Sequence, residues 1–127
     1  MKKALAIVPI VLVCALAGSV QAGTVLSKED AQALFNNMTF DGHNEKKDRD
    51  FKVFSGPDGQ HIIHSASGKV KERFWRINDK GEHCVTRKQG ANKNCAAVVD
   101  QGDGVYHKVK GGQHTHTLSN FRAGNNL

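Results

Sequence analysis

The chain has no Gly-x-Ser-x-Gly elbow, no phosphate-cradling glycine loop and no His-Glu-x-x-His pair. Each absence removes the sequence signature of a chemistry: acyl transfer from a serine, nucleotide-phosphate handling, and zinc proteolysis. Close CxxC spacing is missing too, so His83, Cys84 and Cys95 lack the pattern of a structural metal site. The aspartates Asp58, Asp79, Asp100 and Asp103 fall in glycine-bearing turns, where turn chemistry alone accounts for them. A non-catalytic protein is expected. Aromatic residues make up 6% of the chain, and the one cluster that mixes them with arginine, Arg73-Phe74-Trp75-Arg76, has the spacing of an ordinary strand. Without a concentrated basic face bearing stacking aromatics, nucleic acid is not an expected partner.

What is present begins with an export signal. Met1-Lys2-Lys3 precedes an apolar run from Ala4 to Ala17, and Gly18-Ser19-Val20-Gln21-Ala22 follows. A basic start, an apolar stretch too short to span a bilayer and small residues at Val20 and Ala22 read as a signal peptide over 1–22, cut after Ala22. An uncleaved anchor and a lipidated Cys14 are the alternatives, but Cys14 sits behind Val13 inside the apolar run. The formal net charge of +6 falls by two when Lys2 and Lys3 leave. That mild basicity suits solubility or an acidic envelope surface. The mature chain, 23–127, is expected to be periplasmic or secreted, with no membrane span after cleavage.

Removal of Cys14 leaves Cys84 and Cys95, an even pair in an oxidising compartment, and a disulfide is the expectation. If the two are opposed on a hairpin, Val85 faces Asn94 and the tip is Gln89-Gly90. A chain of this size buries a modest core, so a covalent staple would matter.

One helix is expected. Ser27 stands as its N-cap, Asp30 lies three positions on, and Asn36-Asn37 ends it. Beyond it the hydrophobic period becomes two. Met38-Thr39-Phe40 starts a strand that Asp41-Gly42-His43-Asn44 bends or ends, and further strands follow between tight turns at Pro57-Asp58-Gly59, Ser67-Gly68, Asn78–Gly81, Gln101–Gly104 and Gly111-Gly112. The expected fold is mainly β: a single domain forming a small antiparallel meander barrel, or a strongly curved sheet, of about eight strands with one N-terminal helix. A two-layer α+β fold with the helix across an open sheet is the alternative.

The run Phe51-x-Val53-Phe54-x-x-Pro57-Asp58-Gly59, then Trp75-x-Ile77, the Cys84 and Cys95 pair and the Gly124-Asn125-Asn126 ending resembles small exported proteobacterial proteins with a lipocalin-like β-domain. Asn126 departs from that pattern, where proline is common. The resemblance implies an envelope location and a compact β-fold, and implies no activity.

Seven histidines carry the remaining signal. A two-residue Gly111-Gly112 turn pairs Lys110 with Gln113, Val109 with His114, Lys108 with Thr115 and His107 with His116. That register places Val105, His107, Val109, His114, His116 and Leu118 on one face, toward the core or barrel mouth, and Tyr106, Lys108 and Lys110 on the other. His107, His114 and His116 are therefore the candidate ligands for a transition metal or a haem iron. A shift of one residue would scatter them. His61 and His64 must point to opposite faces, with the choice open, and His43 and His83 are expected to be exposed. The function expected is binding of a metal ion or small ligand. The alternative is an envelope protein–protein interaction or inhibitor module whose histidines are structural.

Overall fold

The computed structural model describes residues 23–127; the expected signal peptide and Cys14 lie outside that range. Helix α1 spans Lys28–Phe35, and the Ser27 hydroxyl accepts a hydrogen bond from the Asp30 amide at 3.1 Å. Asn36 caps the other end, and Asn37 takes the left-handed conformation (φ 57°) that asparagine tolerates. The helix thus starts and stops where the cap residues require.

A short strand β1 (Thr24–Val25) precedes the helix. After it come β2 (Met38–Asn44), β3 (Arg49–Ser55), β4 (Gln60–Ser65), β5 (Val70–Ile77), β6 (His83–Thr86), β7 (Cys95–Gly102), β8 (Val105–Lys110) and β9 (Gln113–Ala123). Every strand from β2 to β9 pairs antiparallel with the next, and β9 returns to β2. The sheet is a closed eight-stranded meander barrel, with β1 as an added ninth strand. Closure removes the exposed edges that an open sheet would carry.

One seam is short. Strand β6 pairs with β7 only at His83↔Ala96 and Cys84↔Cys95, and the latter pair is joined by a disulfide with Cα atoms 4.0 Å apart. Where β6 has ended, β1 takes over the same flank of β7 through Val25↔Val99 and Thr24↔Asp100. Beyond Cys84 the expected hairpin continues: the Val85 amide donates to the Asn94 carbonyl, and a turn at Gln89-Gly90 is closed by a bond from the Ala91 amide to the Lys88 carbonyl.

Of the two outcomes expected at Asp41–Asn44, a bend or an end, the strand does not end there: β2 runs on to Asn44. The glycine serves packing here. Gly42 lies directly opposite Phe51, and a Cβ at Gly42 would overlap the Phe51 ring. An aromatic covering a strand glycine supplies the surface that the glycine lacks.

The helix closes one end of the barrel. Phe35 is fully buried and meets rings from four strands: Phe40 (5.5 Å between centroids), Trp75 (6.1 Å), His83 (3.9 Å) and Phe121 (5.8 Å). With Ala31, Val53, Ile77, Val98 and Leu118 these form the core. Trp75 keeps its indole N–H satisfied by donating to the Gly56 carbonyl at 2.8 Å, which ties β5 to the Pro57-Asp58-Gly59 turn. Fully burying a side chain of this size is worth about 1.5–3 kcal/mol.

Candidate ligand-binding site

The inner surface beyond that core is set by two one-residue irregularities. In the last hairpin Gly111 and Gly112 both have positive φ, and Lys110↔Gln113 and Val109↔His114 pair as the turn dictates. The register then steps: Lys108 faces His116, His107 faces Thr117 and Tyr106 faces Leu118. Thr115 is the extra residue of a bulge, held there because its carbonyl accepts from the Glu45 amide at 2.9 Å and its hydroxyl donates to the Lys108 carbonyl at 3.2 Å.

That bulge corrects the expected histidine face. His116 points into the barrel with Lys108 and Leu118, while His107 and His114 remain on the outer surface with their rings stacked 3.7 Å apart. Outside, His114 sits 2.9 Å from the Thr117 hydroxyl, which donates to Glu45 at 2.6 Å. His107, His114 and His116 therefore do not share one face. Among the described residues no group of three or more His, Cys, Asp or Glu side chains is arranged to hold a metal ion.

The second irregularity is at the β5–β6 turn. Asn78 bonds to Glu82 across a three-residue loop, Asp79-Lys80-Gly81, in which Gly81 has φ 82°. Ile77 is consequently opposite His83, and since Ile77 faces the core, so does His83. The expected exposure of His83 is corrected to 1%. His61 is the inward member of the His61 and His64 pair and is 5% exposed. His43 stays outside, bonded to Asp50 at 2.7 Å and to Asp48 at 3.1 Å.

These placements converge on a cavity of about 250 Å³ in the half of the barrel away from the helix. His61 and His83 form its floor, and the back of His83 rests on Phe35. Lys108 and His116 stand on one wall, and Phe51, Ile63, Val85 and Leu118 supply apolar surface. Asn44, Lys47, Arg49 and Lys71 surround the mouth. A larger concavity of about 600 Å³ lies against β2, β3 and β4 on the outside, but its charges already pair with each other, as in Lys52 with Asp41 at 3.1 Å.

The electrostatics inside are one-sided. Burial, reinforced by the Lys108 charge, pushes His61 down to about 3 and His116 down to about 4, and holds His83 well below its ordinary value. The three imidazoles are neutral at pH 7. Lys108 is 8% exposed, and burial, with Lys110 nearby, lowers its ammonium to about 8, so it still carries its charge. The cavity's one carboxylate neighbour, Asp50, has a side chain 81% exposed and turned out to His43.

Several buried polar atoms have no partner among the described residues: His61 Nδ1, both ring nitrogens of His83, and Ser55 Oγ. Ser55 and His61 are directly opposed, yet Ser55 Oγ and His61 Nδ1 do not bond each other. What the arrangement offers is hydrogen-bonding capacity and one positive charge against an apolar wall. Sequence reasoning left His61 open, and it turned Lys108 and His83 outward. No family model, curated protein or solved structure matches the chain.

Proposed function

We propose that this is an exported, non-catalytic protein that binds a small ligand in the open half of its barrel. The observation that carries the reading is the floor of the cavity. His61 and His83 are nearly sealed from solvent, line the space, and hold ring nitrogens without protein partners. Buried polar groups are ordinarily satisfied, and an unsatisfied one costs about 1–3 kcal/mol, so three such nitrogens beside the cavity mark its floor as kept for something other than stability. The volume lies just under the ~300 Å³ at which pockets for larger ligands begin, which restricts the ligand to a compact molecule. Export is supported by the leader-like start at 1–22 and by the Cys84–Cys95 disulfide.

The ligand is organic rather than a bare metal ion, because the candidate metal ligands diverge: His116 is inside, with His107 and His114 outside. Protein isolated from its native compartment without denaturation, then unfolded and extracted, should release a small molecule detectable by mass spectrometry. The Ser65→Trp variant, which places an indole in the mouth of the cavity, should release none. Equal release from both proteins would move the binding site elsewhere. An empty wild-type protein that instead retains a protein partner through purification would favour the interaction module.

A further inference from the structure

Resting on the lumenal binding site just proposed, we infer that the ligand is a small anion, an organic carboxylate or phosphate, whose charged oxygens sit against the Lys108 ammonium while its apolar part lies along Phe51, Ile63 and Leu118. Lysine is among the side chains least often buried without a partner. Lys108 is nine-tenths buried on β8, opposite His116 on β9 and Val98 on β7, and no carboxylate among the described residues offsets its charge. A buried charge without a counterion is destabilising, and an anionic ligand removes that penalty on binding.

The neighbours point the same way. His61 and His83 are close enough to feel the Lys108 charge and remain neutral, so each ring presents one N–H donor and needs no proton to do so. An anion seated at Lys108 meets an ammonium above two neutral imidazoles, and the one carboxylate lining the cavity, Asp50, is turned out to His43. At the mouth the cations Lys47, Arg49 and Lys71 outnumber the one lining carboxylate, Asp50, and a cleft with an excess of one sign of charge raises the local concentration of the opposite sign. A cationic ligand would be repelled. A neutral one would enter but leave Lys108 buried and unpaired, which gives the cavity its selectivity.

The test uses the mature, oxidised protein, titrated with benzoate, its uncharged isostere benzamide, and inorganic phosphate, followed by calorimetry and by NMR shifts of the lumenal side chains. Benzoate or phosphate should bind at least about 10-fold tighter than benzamide at neutral pH, the size expected for a charged hydrogen bond. The preference should vanish in Lys108→Met, whose fold is checked by circular dichroism, and persist in Lys108→Arg. Benzoate and benzamide binding equally, both shifting His61 and Leu118, would overturn the anion while leaving the lumenal site intact. Anion binding that Lys108→Met leaves unchanged would place it on exposed lysines and overturn the inference. Absence of any lumenal shift with all three probes would overturn the anion and the lumenal site together.

Discussion

The two halves of this barrel are built from the same strands and filled in opposite ways. Strand β9 sends Phe121 toward the helix and His116 toward the mouth, and β5 sends Trp75 one way and Lys71 the other. The helix end is aromatic, with Phe40 and Phe121 stacked at 4.7 Å and the one buried indole N–H satisfied. The mouth end keeps a buried ammonium and unpartnered imidazole nitrogens. Small barrels are usually filled by side chains throughout. The other half is left polar and partly empty, and His83, stacked on Phe35 yet lining the cavity, is the boundary between the two.

Acid should break the comparison most severely. The folded pKa values of His61, His83 and His116 lie below the unfolded value near 6.5, so the unfolded chain binds more protons once the pH falls past that value. Stability from the neutral rings is complete above pH ~6.5 and lost as pH falls through it, by about 4 kcal/mol per pH unit when all three titrate together. Since small domains hold only about 5–15 kcal/mol, urea midpoints should collapse between pH ~6 and ~4. A midpoint that stays constant across that interval would mean the histidines are not buried as described.

The next effect isolates the aromatic half. Phe35→Ala empties the position where four strands and the helix meet, and should cost about 3–5 kcal/mol in urea unfolding. A loss below about 1 kcal/mol would show that the helix is not what closes that end. Replacing Cys84 and Cys95 together by serine removes a loop of sequence separation 11, which is worth about 2–3 kcal/mol. The melting temperature should drop by on the order of 10 °C, with benzoate affinity little changed because the disulfide lies outside the lumen.

The smallest effect has the opposite sign. Lys108→Met should stabilise the ligand-free protein by about 1–3 kcal/mol at pH 7, since the lowered pKa marks a charge that folding buries at a cost. That cost is fully present below pH ~8 and is relieved as pH rises toward the unfolded value near 10.5. Wild-type stability should therefore climb over that interval while the variant stays level. A destabilised variant would show that Lys108 is paired in the folded state.

The barrel and its staple were legible because each rested on several agreeing signals. Alternation through Trp75 and Ile77 and the Pro57-Asp58-Gly59 turn both point to adjacent antiparallel strands, and the opposed cysteines fix the register of their hairpin down to the Gln89-Gly90 tip. The site was less legible because it depends on single residues. Side chains alternate with period two, so the extra Thr115 and the three-residue Asp79-Lys80-Gly81 loop each invert a face. The first brings Lys108 inward beside His116 and turns His107 and His114 out, and the second brings in His83. The bonds that hold Thr115 come from Glu45, distant in sequence, and local turn chemistry carries no sign of them.

The brevity of the β6–β7 seam has a consequence for how the molecule breathes. With two cross-strand pairs, one of them disulfide-bonded, this is the line along which a closed sheet would first part. The sulfur bond turns that line into a covalent ring running from Cys84 through the tip to Cys95. In the oxidised protein, amide hydrogens along the seam should exchange with solvent only as slowly as the whole barrel opens. After reduction they should exchange early, well ahead of those in the long β2–β9 ladder.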